Sequence, residues 1–334
     1  YQENISDVAD NKSLSKQLFP LFIEEGIKLQ PKYLCLITPS RWFTGDAQDK
    51  SFIKLREFIK KNNNFRKIVN YSNSKVIFSD VEISGGVNYF IVENGYIGLV
   101  DFTEHYDSEN IVMMQRPLFE EGFDIILSNG RNYQFIKKIN SSNFVSMTSI
   151  TQGRNAFGIV GKNVNLISKE YYFDGSYELR CKYEEIRYIE KRYINKNIDI
   201  ADKWKIFTSK GNGGAGLLTD NKQVAILGKA FIGKPNSVCT DSLIPIGSFE
   251  TEYEAMSLLS YFKTKFFRYV VGLLKTSQNV YQNVYQFVPL QNFTENSDID
   301  WSKSISDIDQ QLYKKYHLSN EEIMFIENKI QPMD

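Results

Sequence analysis

The chain has 334 residues, 40 basic and 40 acidic side chains, and 42% hydrophobic residues, which is enough for the cores of two ordinary domains. Its two histidines and three widely spaced cysteines argue against a metal site, a disulfide framework and a Ser-His-Asp triad. No apolar run reaches the roughly 18 residues of a membrane span and no signal peptide opens the chain, so we expect a cytoplasmic protein with no membrane partner.

The neutral total charge hides an uneven distribution. Residues 151–288 contain 19 basic and 13 acidic side chains, whereas residues 289–334 contain 4 and 9. A basic segment indicates a nucleic-acid partner for that part of the chain. The 24 Phe and 20 Tyr have two interpretations. An AT-rich coding sequence explains them as a whole, and some tyrosines can also stack on bases.

The first hundred residues alternate between helix and strand patterns. Helical spacing covers residues 13–29, with Ser13 as the cap, and residues 48–61. The apolar run 33–37 is typical of a buried parallel strand. Two further strands are predicted at 65–71 and 87–92, close enough to pair antiparallel. The pattern predicts an α/β fold with too few strands to close a doubly wound sheet by itself, so it indicates half of such a domain.

The remainder of the chain has a different pattern of predicted strands and helices. A connector over 98–142 contains a predicted strand at 98–102 and a helix at 131–139. Short strand patterns follow, separated by turn residues: 155–160, 178–181, 204–208, 223–227 and 242–246. Thr251 caps a predicted helix that reaches about residue 274. Two short amphipathic helices, 306–316 and 319–329, end the chain.

Several segments carry a family resemblance. Tyr1-Gln-Glu-Asn4 is followed by a helix, an apolar strand and Thr38-Pro-Ser-Arg-Trp-Phe43. This order resembles the amino-methyltransferases that modify the exocyclic amine of adenine in DNA, in which a strand ends in Asn-Pro-Pro-Tyr. Lys67-Ile-Val-Asn-Tyr71 and Val81-Glu-Ile-Ser-Gly-Gly-Val-Asn-Tyr-Phe90 resemble their closing strand pair. The segments 204–207, 261–268 and 284–290 resemble the recognition region of fused, type IIG-like type II restriction–modification enzymes, and the terminal segments 309–316 and 321–326 resemble the same group of enzymes.

This resemblance implies a fold and a division into domains. We expect the C-terminal half of a Rossmann-like methyltransferase sheet, followed by a mixed α/β target-recognition domain. The expected boundaries are 1–108 for the catalytic part, 109–145 for a connector, 146–290 for the recognition domain and 291–334 for a helical tail.

The resemblance also implies a function. The chain is expected to be the recognition portion of an adenine-N6 DNA methyltransferase of a restriction–modification system. In the intact protein this enzyme uses S-adenosylmethionine, binds double-stranded DNA and works with a fused or separate nuclease. The family's glycine-rich cofactor turn and the Asn-Pro-Pro residues are missing here, so we expect the chain alone to be inactive. The alternative is a non-catalytic DNA-specificity module that works with a separate methylase subunit.

Candidate site residues follow from the same motifs. Tyr1 would stack on the flipped adenine, as the aromatic residue of Asn-Pro-Pro-Tyr does in the family. Trp42 would wall the base pocket, with core packing as the alternative. Of Tyr89 and Phe90 we expect one to line the pocket and the other to be core. Arg41 could contact a phosphate.

The basic segment supplies the other DNA-binding candidates. Arginine can read base edges and lysine can contact phosphates, although a solvated surface position is the alternative for most of them. These candidates are Arg154, Arg180, Lys182, Lys205, Lys210, Lys229 and Lys234. Gly211-Asn-Gly-Gly-Ala-Gly216 matches a dinucleotide-binding pattern, but no helix is predicted after it. We therefore expect a flexible loop that could reach DNA.

Overall fold

A computed structural model of the chain describes residues 17–333 apart from 46, 48, 82, 84, 106–110, 122, 128–129, 141–143, 183–184, 212–222 and 276–279. The chain divides into two compact units, Tyr1–Gln134 and Phe135–Asp334. Both combine helices with β-sheet, which confirms the predicted α/β class. The finer domain boundaries stay predictions. Within the described residues, no helix has the length and apolar character needed to cross a membrane.

The first unit contains one five-stranded sheet. Its elements, in chain order, are α1 (Phe19–Lys28), β1 (Tyr33–Pro39), α2 (Ser51–Lys61), β2 (Phe65–Tyr71), β3 (Val87–Glu93), β4 (Val100–His105) and β5 (Ile111–Arg116). Helix α3 (Gly130–Ile139) contains the boundary between the units. The bounds of the predicted strands and of the second helix are confirmed to within a few residues. The prediction of a buried parallel strand at 33–37 is wrong, because β1 pairs antiparallel with β3 at the edge of the described sheet and Tyr33 and Ile37 are more than half exposed. Ser13, the predicted cap of the first helix, lies outside the described residues.

The sheet has the order β1-β3-β2-β4-β5. Strand β3 pairs antiparallel with both β1 and β2, which confirms the predicted pairing of β2 with β3. Strands β2 and β4 pair parallel, and β5 returns antiparallel to β4. Strands β1, β2 and β4 therefore run in one direction, and their carboxyl ends lie along one edge of the sheet. We call this the carboxyl edge.

Helices pack on only one of the two faces of this sheet among the described residues. Helices α1 and α2 pack on one face, where the buried core includes Phe52, Leu55 and Phe102. On the opposite face Ile37 is 66% exposed and Met113 is 75% exposed. Doubly wound sheets are covered by helices on both faces. Among the described residues of this unit, helices cover only one.

The second unit contains two small sheets and most of the helices. Its elements are α4 (Val164–Ile167), β6 (Ser168–Lys169), β7 (Ser176–Arg180), β8 (Ile186–Glu190), α5 (Ile198–Ala201), β9 (Trp204–Ser209), β10 (Ala230–Gly233), β11 (Ser237–Cys239), β12 (Leu243–Phe249), α6 (Glu252–Lys263), α7 (Lys265–Gly272), α8 (Ile305–Lys315) and α9 (Asn320–Lys329). One sheet has the order β10-β9-β12 and the other β11-β7-β8-β6.

Three predictions for this unit are wrong. Residues 155–160 form turns rather than a strand, and within 223–227 only Val224 forms an isolated bridge. The predicted long helix is broken at Thr264, whose ψ of 150° is extended. The break is stabilised because the Thr264 side chain accepts a hydrogen bond from the Phe267 amide. The Asp309 carboxylate accepts from the amides of Lys265 and Phe266, at 2.9 Å each.

Candidate functional site

The carboxyl edge of the first unit is built by two chain segments. After β1 the chain forms a 3-10 turn, Ser40–Trp42, and after β2 it forms the loop 72–86. The Ser40 amide donates to the Gly86 carbonyl at 2.9 Å, which joins the two segments. Gly86 has a φ of +80°, and a Cβ there would lie 2.3 Å from the Tyr71 carbonyl oxygen. Only glycine allows this close approach. Ligands of α/β sheets bind at such edges.

A hydrogen-bonded set of polar side chains lies beneath this edge, and we call it the edge network. Its members are Thr38, Ser40, Asn70, Ser72, Asn88 and Glu104. They come from β1, β2, β3 and β4 or from the residues that directly follow them. All except Ser72 are at least 96% inaccessible to solvent. A polar group at this depth is tolerated only when it is hydrogen-bonded, and here each member has a partner.

Glu104 is the ionisable member of the network. Its carboxylate accepts from Asn70 Nδ2 at 3.0 and 2.8 Å and from the Ser72 hydroxyl. Burial raises the pKa of Glu104 to about 8, although the Ser72 and Asn70 hydrogen bonds and the positive charge of Arg116 oppose the shift. At neutral pH the carboxyl is therefore mostly protonated. In that form its O–H can donate to the Ser72 oxygen.

The predicted base-pocket residues have different surroundings. Trp42 and Phe90 are fully buried and belong to the same core cluster, with Trp42 Nε1 donating to the Thr38 hydroxyl at 3.3 Å. Neither ring reaches the surface in this structure, so Trp42 packs in the core, which was its alternative, and Phe90 is the core member of the pair expected with Tyr89. Both rings belong to the core cluster that also contains buried residues of α1 and α2. Tyr89 is only half-buried.

Arg41 lies in the 3-10 turn at the carboxyl edge. It is partly buried, and its Nε is inaccessible without a hydrogen-bond partner. Burial lowers the pKa of Arg41, and no described carboxylate forms an ion pair with it. A Cβ added to Gly85 would lie 3.2 Å from the Arg41 Cβ, so the glycine loop packs directly against this residue. The arrangement leaves a partly desolvated cation available to an anion.

The sequence reasoning missed an apolar patch in the loop after β2. Val76, Ile77, Phe78 and Val81 are 38–51% exposed. The loop is nevertheless well anchored, because the buried Ser74 hydroxyl donates to the Val81 carbonyl and accepts from the Ile83 amide, both at 2.9 Å. A run of apolar residues between turn-forming residues was the available sequence signal.

In the second unit several predicted DNA-binding residues lie around the turn 240–242. Arg154 is 3.8 Å from the Asp241 carboxylate. The Lys210 amide donates to the Ser242 carbonyl, and the Thr240 amide donates to the Arg180 carbonyl, both at 3.0 Å. Lys182 follows two residues after Arg180. Lys229 lies at the same end, because its neighbour Ala230 pairs with Thr208 near the end of β9. We call Arg154, Arg180, Lys182, Lys210 and Lys229 the basic end.

Two predicted residues do not belong to the basic end. Lys205 is fully buried, and its ammonium donates to the carbonyls of Ala201, Lys203 and Lys234 at 2.6–3.1 Å. Burial lowers the pKa of Lys205 to about 7. Its assignment to DNA binding is wrong, because no part of the side chain reaches solvent. Lys234 is exposed, but it follows β10 at the opposite end of the sheet.

Two other predictions concern residues that the structure does not describe. Tyr1, the predicted catalytic residue, lies outside the described residues, and so does all of the glycine-rich segment except Gly211. In the described part of the first unit, no strand leads through a glycine-rich turn into a helix. These residues therefore do not provide the phosphate-binding type of turn that the family uses near S-adenosylmethionine.

Comparisons with known proteins agree with the resemblance found in the sequence. Residues 1–78 match the model of the Eco57I restriction-modification methylase family. An uncharacterized adenine-specific methylase of Mycoplasma pneumoniae is 33% identical over 141 residues, which are 41% of this chain and 32% of that protein. The chain therefore spans about a third of the length of this relative.

Two solved restriction enzymes show a weaker likeness. The type IIG restriction endonuclease BpuSI has a TM-score of 0.40 and 14% identity, over 94% of this chain and 48% of that one. The type IIL enzyme MmeI, solved in complex with DNA, has a TM-score of 0.47 and 9% identity, over 97% and 52%. From the family match and the curated relative, the chain is similar to the adenine-specific methylases of restriction–modification systems, with residues 1–78 matched by the Eco57I methylase family.

Proposed function

We propose that the chain is part of an adenine-N6 DNA methyltransferase, in which the first unit belongs to the catalytic domain and the second unit binds DNA. The observation that carries the DNA-binding part is the basic end, where Arg154, Arg180 and Lys210 contact the turn 240–242 and two further lysines lie near them along the chain or at the same end of the sheet. The family match supports the methylase part. S-adenosylmethionine, and a fused or separate nuclease, belong to this proposal for the intact cytoplasmic enzyme.

The charges at the basic end suit a phosphate backbone. Arg154, Arg180 and Lys182 each have a carboxylate within 4 Å, whereas Lys210 and Lys229 form no ion pair with a described residue. An ammonium without a protein partner keeps all its donors for phosphate oxygens. Each phosphate contact releases counterions, so binding should weaken steeply as salt rises.

A pair of double variants tests this surface. Lys210→Gln with Lys229→Gln should lower the affinity for a fluorescein-labelled duplex pool and reduce the slope of log Kd against log salt by about 2. The matched control is Lys191→Gln with Lys234→Gln, which removes two exposed lysines away from the basic end. Fluorescence anisotropy at several salt concentrations measures both. Equal slopes for the two double variants would refute the basic end as a DNA surface.

We also propose that the carboxyl edge meets the target base. Phe78 in the anchored loop, Tyr89 and Arg41 are the exposed or half-buried residues there that could contact a flipped nucleotide, and Tyr1 would stack on it. Phe78→Ala in the full-length protein should lower kcat/KM for DNA methylation about tenfold, the loss expected for a base–aromatic stack. Phe78→Tyr should keep most of the activity, since it keeps the ring. Unchanged methylation by Phe78→Ala would remove this residue from the proposal.

A further inference from the structure

The edge network joins residues that are far apart in the sheet. Glu104 lies on β4, and Ser40 follows β1, with β3 and β2 between those two strands. Asn70 bridges them, because its Nδ2 donates to Glu104 and its Oδ1 accepts from the Ser40 hydroxyl. Asn88 Nδ2 then donates to Ser40 Oγ and to the Thr38 carbonyl, both at 3.2 Å. The path from Glu104 to the 3-10 turn is thus continuous.

Glu104 determines the orientation of the path. An asparagine amide can turn over and exchange its oxygen with its nitrogen. In the structure both Glu104 oxygens accept from Asn70 Nδ2, and this orientation of the amide places the Asn70 oxygen toward Ser40. Ser72 fixes the Glu104 carboxyl from the other side. Without Glu104, a buried N–H of Asn70 would lack a partner. The orientation in which the Asn70 oxygen faces Ser40 would then no longer be favoured.

We propose that Glu104 is a positioning residue, which acts through Asn70 and Ser40 to hold the Ser40–Trp42 turn where Arg41 can meet DNA. The inference rests on the proposed function, in which Arg41 contacts the nucleic acid. Glu104 itself is 1% exposed and lies below the surface, so it touches no substrate. Its effect on DNA must pass through the turn.

The first test needs no DNA. The chain has three tryptophans, and only Trp42 lies in the turn, where its indole N–H donates to Thr38 within the network. In chain labelled with ¹⁵N-tryptophan, Glu104→Ala should shift the Trp42 indole resonance, which Trp42→Phe identifies. Glu104→Gln should leave it near the wild-type position, since the amide oxygen still accepts from Asn70. Asp101→Ala, an exposed change on the other face of β4, is the control.

The second test measures methylation by the full-length protein. Arg41→Ala and Glu104→Ala should each raise KM for a duplex substrate about tenfold with kcat changed less than about twofold, because a DNA contact is lost. The double variant should be no worse than Arg41→Ala alone, since both changes remove the same contact. Glu104→Gln should restore KM. If Glu104→Ala does not fold, Ser40→Ala breaks the same path and should give the same rise in KM.

The two proposals fail differently. A normal KM for Arg41→Ala would refute the proposed DNA contact, whatever Glu104 does. A raised KM for Arg41→Ala, together with a wild-type KM and an unshifted indole for Glu104→Ala, would overturn the positioning role alone. Additive effects in the double variant would also overturn it, because Glu104 would then act by another route.

Discussion

The role that a side chain can have at this site depends on how deeply it is buried. Tryptophan, phenylalanine and lysine can serve either a surface or a core, and their neighbours in sequence do not settle which. Trp42 and Lys205 were expected at a ligand, Phe90 was one of two candidates for the base pocket, and all three are fully buried. Arg41 was expected at the same edge and does lie there, half-buried, although its contact with phosphate stays a prediction. Burial is set by which sheet face the helices cover, and that depends on contacts between distant segments.

Glu104 gives a pH-dependent prediction for stability. Its pKa is about 8 in the folded chain and near 4.5 in an unfolded one. Between these values the folded state holds a proton that the unfolded state has released. The free energy of unfolding therefore falls as pH rises from about 4.5 through about 8. Glu104→Gln removes this dependence. Relative to wild type, the variant should gain at least about 1 kcal/mol between pH 5 and pH 9.

Urea unfolding followed by ¹⁹F NMR of 5-fluorotryptophan at Trp42 measures this difference within the first unit. Arg116 is the charged group whose attraction opposes the shift, and Glu120 lies 3.9 Å from it. Glu121→Gln serves as the control for the loss of a carboxylate at a more exposed position. A wild-type chain and a Glu104→Gln chain with parallel pH profiles would contradict the protonated state of Glu104.

Whole elements were predicted well where periodicity is strong. Strands β1, β2 and β3 and helix α2 follow from runs of apolar residues and from helical spacing. Strand β3 lies between β1 and β2, and no local pattern predicts that order because it is a long-range pairing. Strands β5, β6, β8, β10 and β11 were missed. Most of them are short and partly exposed, so they lack the apolar run that marks a buried strand.

The break between α6 and α7 also depends on a distant residue. Asp309 on α8 is 2% exposed and accepts from the Lys265 and Phe266 amides at the start of α7. We expect Asp309→Ala to lower the free energy of unfolding by about 2 kcal/mol, because two buried amides lose their acceptor. Glu321→Ala, in the exposed first turn of α9, should change it by less than about 0.5 kcal/mol. Thermal melting monitored by circular dichroism compares them. Equal melting points would show that Asp309 does not stabilise the break.

At the scale of the whole chain, net charge is misleading. The total is zero, yet three residues of the basic end contact a single turn and Lys229 lies at the same end of the sheet. The sequence predicted an excess of basic residues in this segment but not which of them meet. Strand register decides that, since it brings Lys229 beside the end of β9 and leaves Lys234 at the far end.

The cofactor provides a test at the same scale. The described residues of the first unit lack a glycine-rich turn between a strand and a helix, so the 334-residue chain should show no micromolar binding of S-adenosylmethionine by calorimetry. The full-length protein should bind it. Both measurements should use protein whose folding has been confirmed by circular dichroism. Micromolar binding by the chain alone would contradict the expectation that these residues lack the cofactor turn.

The edge network has a consequence for sequence conservation. Each of its buried groups is satisfied only by its neighbours, so a change at one position leaves another without a partner. Among related sequences, Ser40, Asn70, Asn88 and Glu104 should therefore be retained or replaced together, while Asp101 on the same strand as Glu104 varies freely. The four positions, spread over residues 40–104, would then change together in evolution.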